Sequence, residues 1–140
     1  MLVLQQHYIV GVLDTNICIY VLKERPASVL KAFESVKSLH ISSIVYSELW
    51  VGIENSPVTL QDKRREQLIQ FLSLLTTHDW DESAGEEYAR LYIKLKRKRM
   101  MIGNMDLLIA THAKSLGATL VTNNIKEFER IEDLKIENWV

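Results

Sequence analysis

The 140-residue sequence has a single cysteine, almost no net charge and no long apolar run. Cys18 alone cannot form an internal disulfide or a cysteine-based zinc site, which is typical of a reducing compartment, and we expect it to be a small buried hydrophobe. The net charge of −1 gives no overall positive field, so binding to nucleic acid would depend on local patches. No segment approaches the roughly 18 uncharged apolar residues that span a bilayer.

The N-terminal segment "MLVLQQHYIVGVL" lacks the basic start and the small-residue cleavage site of a secretory signal, so we expect a cytoplasmic protein. The composition that remains, 47% hydrophobic and 25% charged, is that of an ordinary globular protein. A chain of this length buries roughly two thirds of its unfolded surface on folding. Because no repeat, low-complexity tract or linker interrupts it, we predict one domain over residues 1–140.

Short apolar runs alternate with helical patterns along the chain. "YIVGVLD" and "ATLVT" predict strands buried on both faces, and "SLHISS", "THDW" and the C-terminal end predict shorter ones. A first helix has Thr15 or Asn16 as its N-cap and ends before Pro26. Further helices are predicted for 27–38, 44–55, 60–76, 81–99, 104–116, where Gly117 ends the helix, and for a short stretch after 124. This alternation predicts an α/β fold with a mostly parallel central sheet flanked by helices.

Three acids stand in these apolar segments: Asp14, Glu48 and Asp106. Singly, each is explained by helix capping, by the helix dipole or by an ion pair. Together they are harder to explain, because two carboxylates ~4 Å apart repel by about 4 kcal/mol at an effective dielectric near 20. If the three converge they need a cation, and all-oxygen ligands suit Mg²⁺ or Mn²⁺ rather than zinc. The pattern therefore favours metal-assisted phosphoester hydrolysis.

Four segments, "VLDTNICIY", "ISSIVYSELWVGIENS", "GNMDLLIATHAKSLGATLVTNNIKEFERI" and "LKIENWV", follow one another over nearly the whole chain. In this order they resemble the PIN-domain ribonucleases of the VapC toxin family. The resemblance implies a PIN-like three-layer sandwich and a metal-dependent endoribonuclease that cleaves RNA, with structured RNA such as tRNA expected. It also implies the toxin of a type II toxin–antitoxin pair, a homodimer neutralised by a VapB-like antitoxin. We expect the antitoxin's C-terminal segment in an apolar groove near Ile17, Tyr20 and Trp50, with an Arg or Lys directed at the acids.

The family's acids can be placed on this sequence residue by residue. Its first three fall on Asp14, Glu48 and Asp106, which the resemblance makes catalytic residues and metal ligands. Many PIN domains have an aspartate after the last core strand, where this chain has "TNN", so the nearest downstream acid, Glu127, is the implied fourth catalytic residue. Three polar side chains are candidates to hydrogen-bond water at the metal, with helix capping as the alternative: Thr15, Asn16 and Asn123.

A dense basic run closes the helix predicted for 81–99 and consists of Lys94, Lys96, Arg97, Lys98 and Arg99. It is a candidate to bind RNA phosphates, and the alternative is a solvated helix end that the dipole favours. The histidines show no metal-ligand spacing, and His112 is expected in the core.

Two other functions fit part of the sequence. "VLDTN" has the aspartate of a HAD-type phosphatase nucleophile, but that chemistry wants a second aspartate two residues on, where Asn16 stands. The second alternative is a catalytically inert PIN-like module that only binds its partner. Such a module would have no use for three mutually repelling acids.

Overall fold

A computed structural model describes residues 11–24 and 38–139 of the chain. Within these ranges five strands form one sheet: β1 (Gly11–Leu13), β2 (Leu39–Ser42), β3 (Leu75–His78), β4 (Thr119–Val121) and β5 (Ile136–Glu137). The helices are α1 (Thr15–Glu24), α2 (Ser43–Glu54), α3 (Val58–Leu72), α4 (Glu82–Lys98), α5 (Asn104–Ser115) and α6 (Ile125–Phe128). The helix predicted for 27–38 falls almost wholly outside the described residues.

The strand order is β3-β2-β1-β4-β5, and every pairing is parallel. Central strand β1 is buried along its length, as its uninterrupted apolar sequence predicts. From β1 the chain first moves outward through β2 and β3, then returns to β4 on the other side. The order reverses between β1 and β4, and this switch point is where open parallel sheets form their binding crevice.

The core consists of the sheet and the inward stripes of the helices. Val12, Ile41 and Leu120 come from neighbouring strands and are fully buried. Ile17 from α1, Leu68 from α3 and other helical residues pack in the same cluster. Cys18 is a buried free thiol, as predicted. Within the described residues, no helix combines the length and the apolar character needed to cross a membrane.

Two details of the predicted helices are wrong. The residue that caps α1 is Asp14, because the helix begins directly at the strand end, at Thr15, and the Asp14 carboxylate accepts the Ile17 N–H at 2.8 Å. The helix predicted to 76 ends at Leu72, and Leu75 opens β3 instead. Leu75 fits both the helical stripe and a strand, and its pairing with Leu39 of β2 decides between them. The Gly117 stop is confirmed, with a positive φ of 66°.

Candidate active site

Asp14 lies at the switch point with only 2% of its surface exposed. Its Oδ1 accepts the Ile17 N–H at 2.8 Å, and its Oδ2 accepts the hydroxyl of Thr122 at 2.5 Å. Burial raises the pKa of Asp14, the two hydrogen bonds oppose that rise, and the negative charge of Glu48 adds to it. The fold therefore fixes a carboxylate in a place where its charge is costly.

Thr122 is a site residue that the sequence analysis missed. It is fully buried directly after β4, the neighbour of β1, and its hydroxyl also accepts the Asn124 N–H at 2.9 Å. The signal was present, because a polar side chain after a buried strand faces the binding edge of a parallel sheet. Thr122 orients Asp14, so the threonine of the "TNN" segment belongs to the site.

Glu48 lies midway along α2, and its Oε1 accepts the hydroxyl of Thr15 at 2.5 Å. Thr15 is the first residue of α1, immediately after Asp14. This contact therefore links Glu48 to helix α1, which begins directly after Asp14. The predicted hydrogen-bonding residues Asn16 and Asn123 are both exposed, and they line one shallow pocket together with Tyr20 and Lys23.

Asp106 and Glu127 flank the start of α5. Asp106 lies in the first turn of α5, and the Glu127 carboxylate, from α6, accepts the Gly103 N–H at 2.9 Å and the Asn124 side-chain amide at 3.0 Å. A Cβ placed on Gly103 would lie 3.7 Å from Glu127 Oε1 and 3.8 Å from Asp106 Oδ2. The two carboxylates thus border the same point of the backbone, which places Glu127, the implied fourth acid, beside Asp106, the third.

The pKa of Asp106 shows that all four acids share one electrostatic environment. Burial raises it most, and the charges of Glu127, Asp14 and Glu48 raise it further, to about 6. The pKa of Glu127 is lowered instead, mainly because the Gly103 N–H stabilises its charged form. The fold thus brings four acids close together: one each from α2, α5 and α6, and one from the end of β1.

Among the described residues, no lysine or arginine forms an ion pair with any of these four acids. In the same ranges, no group of three or more acidic, histidine or cysteine side chains is placed to hold a metal ion by itself. Mg²⁺ does not require such a group, because it commonly keeps several waters and binds through one or two carboxylates. The all-oxygen donors and their unrelieved repulsion therefore fit a hard divalent cation.

The basic run on α4 is divided by the structure. Lys94 and Lys98 reach Glu132 at 3.1 and 2.6 Å, and so tie the end of α4 to the segment before β5. Lys96, Arg97 and Arg99 are exposed and form no ion pair with a described residue. Within this basic run, these three remain the candidates to contact a polyanion.

The histidines lie apart from the acids in a network of their own. His112 is 1% exposed and its Nδ1 lies 2.7 Å from the Ser42 hydroxyl, which confirms the core position predicted for it. His40 Nδ1 and His78 Nε2 are 2.8 Å apart, and burial together with the neighbouring His78 lowers the pKa of His40. His7 lies outside the described residues.

Comparison with known proteins agrees with this geometry. The PIN domain family model matches residues 11–134, and the chain therefore belongs to the PIN domain family. Its relatives place it in one branch of that family. It is 43% identical over 130 residues to the ribonuclease VapC2 of Rickettsia felis and 37% identical over 128 residues to the tRNA(fMet)-specific endonuclease VapC of Shigella flexneri, in each case over 91% of this chain and 96% of the relative.

Solved structures show the same fold. VapBC2 from Rickettsia felis, bound to a DNA fragment from its promoter, superposes with a TM-score of 0.89 at 41% identity, over 94% of this chain and all of that one. DNA-bound VapBC from Salmonella typhimurium gives 0.90 at 35% identity, over 94% of this chain and 99% of that one. The predicted α/β, PIN-like three-layer sandwich is confirmed, and the family is that of the VapC ribonucleases.

Proposed function

We propose that the chain acts as a single PIN domain, a metal-dependent cytoplasmic endoribonuclease and the toxin of a toxin–antitoxin pair. The observation that carries the proposal is the group of four acids at the switch point, held by hydrogen bonds but without an ion pair to a lysine or arginine among the described residues. The VapC ribonucleases to which the chain is similar support the same activity. Relatives named for tRNA(fMet) make tRNA the substrate class to test first.

Asp14, Glu48 and Asp106 would hold the metal, and Mg²⁺ or Mn²⁺ matches their oxygen donors. Such an ion, when bound, supplies a water of lowered pKa and neutralises charge at the scissile phosphodiester. Thr122 and the Ile17 N–H keep Asp14 in one orientation, and Thr15 does the same for Glu48. Glu127 borders the site with both oxygens already hydrogen-bonded, so its main task is to hold the start of α5 beside Asp106.

The proposed partners are a VapB-like antitoxin and a second copy of the chain. Three solved relatives are VapBC assemblies, two of them on DNA, which supports an antitoxin that also binds its promoter. A nuclease that acts on the RNA of its own host has to be inhibited, and the antitoxin would do this by covering the acidic site.

Purified protein incubated with total tRNA in Mg²⁺ and in EDTA tests the proposal. We expect defined cleavage products in Mg²⁺ and intact RNA in EDTA. An aryl phosphate tested in parallel separates the phosphatase alternative, which predicts its hydrolysis and intact RNA. The inert binding module predicts that neither substrate is consumed.

The unpaired part of the basic run gives a prediction for RNA affinity. We expect a Lys96→Gln/Arg97→Gln double variant to bind single-stranded RNA more weakly and to lower the salt slope of log Kd by about 1.4, since each lost phosphate contact removes roughly 0.7. Lys94→Gln/Lys98→Gln is the matched control, because those lysines already pair with Glu132. Fluorescence anisotropy at four salt concentrations measures both, and equal slopes for wild type and the Lys96/Arg97 variant would show that the run is only a solvated helix end.

The raised pKa of Asp106 gives a prediction for stability without metal. The Asp106 carboxyl has a pKa of about 6 in the folded protein and 3.8 in the unfolded chain. Its ionisation therefore lowers the free energy of unfolding as the pH rises from about 4, and the loss is complete above pH 6. Converted in full, this pKa shift corresponds to ~3 kcal/mol, and solvent screening at this partly exposed group reduces that to about 1 kcal/mol. In EDTA, Asp106→Asn should therefore melt about 2–5 °C higher than wild type at pH 8, with the gain vanishing near pH 4. A loss of melting temperature at both pH values would contradict the shared-charge account.

A further inference from the structure

Residues 99–103 connect α4 to α5 and determine where α5 begins. Arg99 ends α4 in the left-handed conformation, with φ of 56°, and Ile102 inserts its side chain into the core with 7% exposure. The Gly103 carbonyl then accepts the Leu107 N–H at 2.9 Å, the first hydrogen bond of α5. Asp106 lies in that first turn, so a displacement of this linker displaces Asp106 with it.

The segment that carries α6 holds this linker at two points. The Glu127 carboxylate accepts the Gly103 N–H at 2.9 Å, and Arg130 Nη1 donates to the Met101 carbonyl, also at 2.9 Å. The segment is itself anchored, because Phe128 is fully buried and the Arg130 N–H donates to the Glu127 carbonyl at 3.3 Å. A rigid turn at one end of the crevice thus holds the backbone that presents Asp106.

Arg130 lies close enough to Glu127 for its charge to help lower the pKa of that carboxyl. Its side chain is exposed, and it forms no ion pair with an acid in the part of the chain that the structure describes. Its hydrogen bond goes to a backbone carbonyl of a segment without regular structure, where no helix or strand pairing would otherwise fix the position. This hydrogen bond connects Arg130 directly to the residues that precede α5.

We propose that Arg130 is a positioning residue of the nuclease, which fixes the Met101 carbonyl and thereby holds Asp106 in register with Asp14 and Glu48. The inference rests on the proposed ribonuclease function. It predicts that losing the guanidinium misplaces one acid without removing it. Such a change lowers kcat and leaves KM nearly unchanged, because misplacement by about 1 Å can cost up to 100-fold in rate.

Three variants test this: Arg130→Ala, Arg130→Lys and the control Arg90→Ala, which removes an exposed arginine whose ion pair among the described residues, with Glu87, lies within α4. Hydrogen–deuterium exchange of the metal-free protein should be several-fold faster across 99–106 in Arg130→Ala and unchanged elsewhere. Its kcat on tRNA should fall about tenfold, with KM within about twofold. Arg130→Lys should recover to within about threefold of wild-type kcat, because a carbonyl needs a single donor. Arg90→Ala should match wild type in every measurement.

Different results would overturn the proposal. Unchanged exchange across 99–106 with a raised KM would mean that Arg130 contacts RNA rather than the linker. Faster exchange throughout the protein would mean that it supports the fold in general. If wild type does not cleave RNA, the proposed function fails separately, and exchange across 99–106 in Arg130→Ala still decides whether Arg130 holds the linker.

Discussion

Asp14→Asn, Glu48→Gln and Asp106→Asn are each expected to lower the rate of RNA cleavage roughly 100-fold or more, a loss of about 2.7 kcal/mol in transition-state stabilisation. Each variant keeps the shape and most hydrogen bonds of the side chain but removes one charged ligand. The three acids lie on β1's end, α2 and α5, so the same loss from all three is explained by one shared cation.

The control is Glu54→Gln, an exposed acid at the end of α2 that is not part of the acid cluster. It should cleave RNA like wild type. The three site variants should retain the fold, since none of the acids has a buried cationic partner among the described residues to leave unpaired. Near wild-type cleavage by any two of them would end the metal-cluster hypothesis, and a large drop in melting temperature for all three would assign the acids a structural role.

The second large effect concerns masking by a partner. A saturating antitoxin is expected to suppress cleavage by roughly 100-fold or more, through a cationic side chain that enters the acidic site in place of the metal. An apolar groove of about 250 Å³ has Glu48 among its lining residues. We expect it to bind the antitoxin segment that carries that cation. Its apolar lining comes from α1, α2 and α3 and comprises Ile19, Leu22, Leu49, Ile53 and Leu68.

Co-expression with a candidate VapB-like antitoxin, sought in the neighbouring reading frame, followed by alanine replacement of each Arg and Lys in its C-terminal segment, measures this effect. One replacement should restore cleavage while the complex still assembles through the groove. On the toxin side, Ile19→Gln should weaken assembly, because Ile19 lines the groove and is exposed, and the exposed Val51→Gln is the control. Inhibition that survives loss of every C-terminal cation would contradict masking by charge.

The sequence predicted the order and type of nearly all described elements, because buried parallel strands and amphipathic helices leave strong patterns. It failed where two patterns coincide. Leu75 matched a helical stripe, and only pairing with β2 shows it to be in a strand. Ile17 was expected beside the antitoxin groove, but the helical phase set by Asp14 as the cap turns Ile17 fully into the core and leaves Ile19 at the groove.

At the candidate site, the sequence predicted the acidic residues but not the contacts that orient them. Asp14, Glu48 and Asp106 were identifiable because each interrupts an apolar segment, and the resemblance added Glu127. The contacts that orient them join residues far apart in the chain: Thr122 to Asp14, Thr15 to Glu48 and Arg130 to the linker before Asp106. Such contacts depend on strand order and loop paths, which local patterns do not encode.

Calorimetric titration of the purified chain with Mn²⁺, at pH 6 and pH 8 in buffers of different ionisation enthalpy, tests the shared metal site most directly. With the pKa of Asp106 at about 6, binding should release about half a proton from that carboxyl at pH 6 and almost none at pH 8. Asp106→Asn should bind Mn²⁺ at least about tenfold more weakly and release no such proton. Equal Mn²⁺ affinity and equal proton release for wild type and Asp106→Asn would contradict a metal held by these acids.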